Sequence, residues 1–244
     1  MEHDVSNYPQ DYSNILQSSE FREELAAQQT FMARVYGWMT IGLLITALTA
    51  LIVSETGANL TMMRSPGLFI TMLLVQIGVA MAMTWAINRI PAIAAAACFL
   101  VYSITTGLFF SILFLVYTSA SIYSVFFITA GMFGAMSFIG YVTKKDLSSL
   151  GMILGMALIG LIIASVVNLF FWNSMLYLLI SYAGVVIFTA LTAYDTQKIK
   201  QGYAAGGSGT DTNKKIAIYG AFSLYLDFIN LFLYLLRILG SRRD

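Results

Sequence analysis

Charged side chains are scarce in this chain. Only 10% of its 244 residues are Asp, Glu, Lys or Arg, whereas soluble domains carry about 25%. Hydrophobic residues make up 59%, and the mean hydropathy is +0.79. This composition argues against a soluble enzyme domain and indicates an integral membrane protein whose main partner is the lipid bilayer. The net charge of +1 gives no reason to expect a nucleic-acid partner.

Histidine and cysteine are each present once. His3 lies near the N-terminus, which excludes an H-E-x-x-H site, a Ser-His pair and a histidine metal site inside the membrane. Cys98 has no second cysteine with which to form an internal disulfide. No G-x-x-x-x-G-K-[ST] loop is present, so nucleotide-driven pumping is not expected. We expect no resident cofactor and no enzymatic activity.

Long hydrophobic runs dominate what is present. Seven of them reach the roughly 20 residues that a membrane-spanning helix needs, and none shows the alternation of a barrel strand. They lie near residues 31–53, 68–87, 92–117, 122–142, 150–171, 175–197 and 216–239. The sequence predicts an all-α membrane protein with one domain over 31–240. We expect a flexible cytoplasmic tail over 1–30, a tight turn at 118–121 and a short basic tail over 241–244.

The distribution of basic residues predicts the orientation. With a cytoplasmic N-terminus, nine basic residues face the cytoplasm and four face outside, as the positive-inside rule favours. The nine are Arg22, Arg34, Arg89, Lys144, Lys145, Lys198, Lys200, Lys214 and Lys215, and the four are Arg64, Arg237, Arg242 and Arg243. The two arginines near the C-terminus fit the outside poorly, so a last segment that crosses incompletely stays open.

Two aspartates lie within or at the end of predicted spans. Asp227 is inside the seventh, and Asp195 is near the inner end of the sixth. A charge at the bilayer centre costs about 2.5–3.5 kcal/mol on insertion scales, and such residues usually mark ion or proton paths. Asp227 belongs to a polar stripe with helical spacing, and Thr192 shares the face of Asp195. The stripe contains Gly220, Ser223, Asp227, Asn230 and Tyr234.

Two points limit this interpretation. The aspartates could merely hydrogen-bond neighbouring helices together, as interhelical polar contacts do. Periodicity also leaves Asp195 roughly 5 Å and Asp227 roughly 16 Å from the inner ends of their helices. Tilt, a deeper end of the sixth helix or an earlier start of the seventh is needed to bring them to one level. Gly151 and Gly155, and likewise Gly131 and Gly134, are expected to serve helix packing.

Several segments resemble the transmembrane Bax inhibitor motif family. They are "LTAYDTQKIK" at 191–200, "LYLDFINLFLYLLR" at 224–237 and "KKDLS" at 144–148. The segments "FMARVYGWMTIGLLITA" at 31–47 and "TAGMFGAMSFIGYVTKKDLS" at 129–148 are similar to its bacterial YccA-like branch. The resemblance implies a seven-helix bundle in the bacterial inner membrane, with the last helix surrounded by the other six.

The resemblance also implies a function. In the family, a pair of aspartates on helices six and seven senses pH and gates a calcium leak, and the matching residues here are Asp195 and Asp227. An arginine at the cytoplasmic end of the second helix pairs with the sixth-helix aspartate in the family. Arg89 in "TWAINRIP" is the candidate for this latch, two or so positions beyond the matching place.

The chemistry of such a pair fits the function that the resemblance implies, a pH-sensitive calcium leak channel or exchanger. Two carboxylates within about 4 Å cannot easily both ionise, so they share a proton near neutral pH. Loss of that proton would part the helices or recruit a cation. Calcium needs six to eight oxygens, and the two carboxylates with Asn230, Thr192 and water would give only a weak, transient site. Ser223 and Tyr234 are expected to support the pair.

Two other functions are considered from the same sequence features. The YccA-like branch is associated with modulating a membrane-anchored quality-control protease, and here residues 1–30 would make that contact. An intramembrane aspartyl protease also carries Y-D on its sixth helix, as Tyr194 and Asp195 do. That alternative fails because "LYL" precedes Asp227 where G-x-G-D is expected, and because no P-A-L segment exists.

Overall fold

The computed structural model describes residues 10–85, 89–205 and 210–243, and their side chains within 22–85, 89–203 and 212–243. This part of the chain forms helices joined by short connections. They are α1 (Gln10–Glu55), α2 (Ala58–Arg64), α3 (Pro66–Trp85), α4 (Ala92–Ser111), α5 (Leu113–Val116), α6 (Ser119–Val142), α7 (Ser148–Phe171), α8 (Ser174–Ala205) and α9 (Thr210–Leu239).

Seven segments of this described part are long and apolar enough to cross a membrane. They are Arg22–Glu55, Pro66–Trp85, Ala92–Val116, Ser119–Val142, Ser148–Phe171, Ser174–Tyr203 and Thr212–Leu239. The prediction of an all-α, seven-helix membrane bundle is therefore confirmed. The predicted tight turn between the third and fourth spans is present, since Thr118 caps α6 and its side chain accepts a hydrogen bond from the backbone of Ser121.

The last helix occupies the centre of the bundle, as expected. In the most apolar stretch of α9, 67% of the residues are buried, against 6% for α3 and 11% for α7. Four helices line α9 directly, namely α1, α4, α6 and α8. The other two long helices lie further out, where α3 packs mainly on α4 and α7 on α8. The central position is as expected, but four helices surround α9 directly where six were expected. A polar group on α9 is therefore shielded from lipid by its neighbours.

Aromatic side chains fill the space around α9. Phe222 and Tyr225 contact the rings of Phe99 and Tyr102 on α4 in edge-to-face geometry, with centroids 5.0–6.0 Å apart. One turn further along α9, Phe228 packs edge-to-face on two rings of α6. Such pairs add about 0.5–1.5 kcal/mol each beyond the area that they bury. They fix the rotation of α9, and so the direction in which its polar stripe points.

Three helix boundaries differ from the prediction. The segment expected to be a flexible tail is helical from Gln10, because α1 continues without a break to Glu55. Its Glu, Leu, Ala and Gln residues are strong helix formers that extend a helix already nucleated in the membrane. Residues 1–9 lie outside the described part. Helix α8 continues to Ala205 and α9 begins at Thr210, so both extend further than predicted.

The last helix crosses the whole bundle. At one end, Lys200 near the end of α8 donates a hydrogen bond of 2.9 Å to the carbonyl of Tyr141 at the end of α6. At the other end, the chain after α9 pairs with the turn that begins α6, through a bridge between Arg242 and Tyr117. Helix α9 is continuous from Thr210 to Leu239, and its apolar stretch is long enough to cross a membrane.

Candidate functional site

The centre of the candidate site is a hydrogen bond between α8 and α9. The Ser223 hydroxyl donates to Asp195 Oδ2 over 2.5 Å. Asp195 lies about ten residues, or roughly 15 Å, before the end of α8. Ser223 lies at a comparable depth in α9, about thirteen residues after its start. The extended helix ends therefore remove the mismatch in depth that the predicted boundaries had created.

Asp227 follows Ser223 by one helical turn and lies on the same face of α9, roughly 6 Å away. Its side chain is only 4% exposed. Its Oδ2 atom is buried and has no hydrogen-bond partner among the described residues. Because Ser223 binds Asp195, Asp195 lies at the α8–α9 contact about one helical turn from Asp227. A carboxylate oxygen in such a place needs a proton or a cation, because burying it ionised and unpaired is very costly.

The other residues of the predicted stripe have separate partners. Thr192 is fully buried, and its hydroxyl donates to the Phe188 carbonyl of its own helix. Asn230 donates likewise within α9. Tyr234 stacks on Phe188 with ring centroids 5.8 Å apart. The structure joins Ser223 to Asp195 by a direct hydrogen bond, and no bond between Asp195 and Asp227 is found among the described residues. Thr192 and Asn230 offer oxygens on the same helix faces.

Arg89 is not brought to the pair. It lies exposed in the turn before α4. The basic residue close to Asp195 along α8 is Lys198, three positions later. The role of Arg89 as a latch stays a prediction, and nothing in the geometry of the turn favours it.

A hydrogen-bonded chain next to Asp195 was missed by sequence reasoning. Tyr36 on α1 shares a hydrogen bond of 2.5 Å with Ser137 on α6, and Ser137 shares one of 3.0 Å with Thr196 on α8. Both Ser137 and Thr196 are buried. The adjacency of Thr196 to Asp195 was the available signal. Its partners lie 59 and more residues away in sequence, so periodicity within one helix could not identify them.

Close helix packing holds Asp195 in place. A Cβ atom on Gly140 of α6 would overlap the backbone of Ala193, and one on Gly151 of α7 would overlap the Tyr194 ring. The predicted packing role thus holds for Gly151. It does not hold for Gly131, Gly134 and Gly155, around which a Cβ would meet nothing within 4 Å. Ala193 and Tyr194, the two residues before Asp195, therefore pack directly against Gly140 and Gly151. A side chain at either glycine would prevent this close contact.

The turn between α6 and α7 is fastened to α8 just below the pair. Gln197 accepts a hydrogen bond from the Leu147 backbone and donates one to the Lys145 carbonyl, both of 2.8 Å. Within the turn, Asp146 accepts from the Ser148 hydroxyl over 2.7 Å and from its backbone over 2.9 Å. These bonds lower the pKa of Asp146 below its ordinary value of 3.8. The "KKDLS" segment thus positions the end of α8 that follows Asp195.

The donor set limits what metal the site could hold. The described residues contain no group of three or more His, Cys, Asp or Glu side chains suited to a metal ion. The pair supplies two carboxylates, and calcium needs six to eight oxygens. Neutral oxygens and water would have to complete the shell. This arrangement suits a proton or a passing cation better than a tightly held one.

The fold and the site together define a class of protein. It is a multi-pass membrane protein of seven helices with an internal acidic site, formed by a buried aspartate on the central helix and a second aspartate on the helix before it. Residues 28–244 match the family described as inhibitor of apoptosis-promoting Bax1, and the chain belongs to this family. The resemblance seen in its motifs is thereby confirmed.

Relatives are found in distant bacteria. Inner membrane protein YbhL of Escherichia coli (strain K12) is 45% identical over 220 residues, which cover 89% of this chain and 94% of that protein. A protein of Borreliella burgdorferi is also 45% identical, over 91% of this chain and 97% of its own length. The protein YrjE of Lactococcus lactis is 37% identical over 86% and 90% of the two chains.

Proposed function

We propose that this protein is a pH-sensitive cation leak channel rather than an enzyme, with Asp195 and Asp227 as its pH sensor and calcium as its cargo. One observation carries the proposal: the buried Oδ2 of Asp227 lacks a hydrogen-bond partner among the described residues, one turn from the serine that binds Asp195. A purely structural aspartate would be expected to satisfy both oxygens.

The protonated pair corresponds to the closed state. One proton between two neighbouring carboxyl groups removes their repulsion and lets one donate a hydrogen bond to the other. In this state α8 and α9 stay packed along their length. The bonds from Ser223 to Asp195 and from Gln197 to the α6–α7 turn hold α8 in register.

The ionised pair corresponds to the conducting state. With the proton lost, two negative charges face each other in a poorly solvated interior, where repulsion is much stronger than in water. The helices then separate, or a cation enters to neutralise the pair. Calcium fits this role because it binds carboxylates and neutral oxygens in variable number. The small donor set gives weak binding, which favours passage through the site.

The location and orientation form part of the proposal. The name of the Escherichia coli relative supports an inner membrane, and the nine-to-four distribution of basic residues supports a cytoplasmic N-terminus. The odd number of crossings then puts the end of α9 outside. Asp195 lies nearer the cytoplasmic end of the bundle in this orientation, so the pair would respond mainly to cytoplasmic pH.

The test is calcium flux into liposomes that contain the purified protein, measured from about pH 6 to 8. Wild-type flux is expected to rise with pH as the pair loses its proton. Asp227→Asn removes the repulsion but keeps the shape, so its flux should respond much less to pH. Asp146→Asn is the matched control, since it changes an exposed aspartate in a loop. A wild-type flux that ignores pH would refute the gating mechanism.

A second function is favoured by the shape of α1. The helix extends beyond the membrane-spanning region to Gln10, and of the side chains described from Arg22 to Thr30 all but one are exposed. Such a projecting helix would offer a surface to a membrane-anchored quality-control protease. Deleting residues 1–26 should then abolish modulation of the protease and leave calcium flux unchanged. Neutralising the aspartates should have the opposite effect.

A further inference from the structure

A cavity of about 650 Å³ opens between α1, α4 and the start of α9, at the end of the bundle opposite the Arg242–Tyr117 bridge. Its wall combines two kinds of surface. Arg34 and Lys214, both exposed, form the charged part. The apolar part includes the buried ring of Phe31 and Ile93, which is 81% exposed. The cavity is separate from the aspartate pair and plays no part in the proposed gating.

The two cations of this cavity have no acidic counterpart in the described part of the chain. Neither Arg34 nor Lys214 forms an ion pair with a described carboxylate, and Trp38 lies one turn after Arg34 on the same wall. Tryptophan and basic residues at the end of a membrane-spanning helix mark the level of the lipid headgroups. Two positive charges at that level, above an apolar surface, complement an anion that carries hydrocarbon chains.

One polar atom of the cavity wall further restricts the ligand. The Oδ1 of Asn213 is buried and has no hydrogen-bond partner among the described residues. This atom can only accept a hydrogen bond. The phosphodiester of a lipid has no proton to donate to it, whereas a headgroup with free hydroxyl groups can donate one. The polar part of the cavity therefore suits a phosphate next to a hydroxyl.

We propose that this cavity binds an anionic phospholipid of the phosphatidylglycerol type. The phosphate lies between Arg34 and Lys214, a headgroup hydroxyl donates to Asn213, and an acyl chain follows Ile93 and Phe31. Basic pockets between membrane helices recognise anionic headgroups in this way. Bound lipid would tie the start of α9 to α1 and α4, beside the helix that carries Asp227.

The test uses Trp38 as a local reporter. The variant Trp85→Phe/Trp172→Phe leaves Trp38 as the single tryptophan, and both substituted residues are exposed on the surface of the bundle. The protein is placed in phosphatidylcholine nanodiscs that contain a small fraction of lipid with brominated chains, which quench tryptophan fluorescence on contact. Brominated phosphatidylglycerol should quench Trp38 at about 25-fold lower mole fraction than brominated phosphatidylcholine, since each of the two basic residues contributes about a fivefold preference.

Two charge variants distinguish a specific lipid site from a general electrostatic attraction of the protein surface for anionic lipid. Arg34→Gln/Lys214→Gln should abolish the preference, and Arg22→Gln/Lys145→Gln, which removes the same charge from exposed positions outside the cavity, should keep it. The reporter protein keeps the cavity residues intact. If the two brominated lipids quench its Trp38 equally, the proposal is overturned. Equal loss in both charge variants would also overturn it, in favour of a diffuse surface field. Relief of quenching by excess glycerol phosphate would show a site for soluble phosphate instead.

Discussion

Ser223 on α9 donates a 2.5 Å hydrogen bond to Asp195 on α8, and this bond sets the level at which the two central helices meet. Asp227 comes one turn later on the same face with a buried, unpartnered oxygen. The serine thus does two things. It stabilises negative charge on one aspartate, and it holds that aspartate beside the other.

Replacing Ser223 by Ala should move the pH response of calcium flux. The ionised form of Asp195 loses a donor, and hydrogen bonds to charged groups are worth about 1.5–3 kcal/mol. Opening should then require a pH about one to two units higher, which a flux titration in liposomes would measure. Ser165→Ala is the control, because Ser165 bonds only the carbonyl of Leu161 in its own helix, α7. If the pH midpoint of calcium flux is unchanged in Ser223→Ala, Ser223 does not contribute to gating.

Gly140→Ala should destabilise the bundle. The new methyl group would overlap the Ala193 backbone, and forced overpacking costs about 1–3 kcal/mol. Thermal unfolding in detergent should show a lower midpoint. Gly134 lies on the same helix, and a methyl group there would meet nothing within 4 Å. Gly134→Ala should therefore leave the midpoint unchanged or raise it slightly. Equal effects of the two substitutions would mean that α6 and α8 do not approach closely at Gly140.

Asp146→Asn should affect stability but not gating. The folded pKa of Asp146 lies below its ordinary value of 3.8, so its charge stabilises the folded state above that pH. The contribution is lost as the pH falls through the folded pKa. The variant should therefore melt slightly below wild type at pH 7, and the difference should shrink as the pH falls below 3.8. Its flux should follow pH as wild type does, because Asp146 stays ionised from pH 6 to 8.

The two ends of α9 should be accessible from opposite sides of the membrane. In a Cys98→Ser background, Ser241→Cys should react with an impermeant thiol reagent added to intact cells or spheroplasts. Lys145→Cys, in the turn at the other end of α6, should react only after the membrane is permeabilised. The reverse pattern would mean that the bundle has the opposite orientation, with its basic end outside.

Much of the fold could be predicted from the sequence because membrane solvation constrains it strongly. Long apolar runs allow few structures other than helices, and a charge such as Asp227 must face the interior. The inward direction of Asp227 was predicted on this basis, whereas the central position of its helix was expected from the family resemblance. The ends of α8 and α9 were harder, because polar residues such as Lys198 and Lys214 continue a helix in water as readily as they begin a loop.

The remaining parts of the site depend on tertiary contacts that one helix does not reveal. Tyr36, Ser137 and Thr196 are ordinary residues in their own helices, and only packing brings their hydroxyls into a chain. Among the glycines, the G-x-x-x-G spacing marked Gly151 but not Gly140, the other glycine packed beside Asp195. The spacing of residues shows which of them lie on one face of a helix. The contacts of that face depend on the neighbouring helix, which the spacing does not identify.

The central claim is that Asp195 and Asp227 titrate as one unit, and a double-mutant cycle on the pH dependence of calcium flux tests it most directly. Asp195→Asn, Asp227→Asn and the double variant are compared with wild type in the same liposomes, with Asp146→Asn as control. If the two carboxyl groups share a proton, either single substitution flattens the response and the second adds nothing further. If each single variant keeps half of the response and only the double variant loses it, the aspartates act independently and the claim is contradicted.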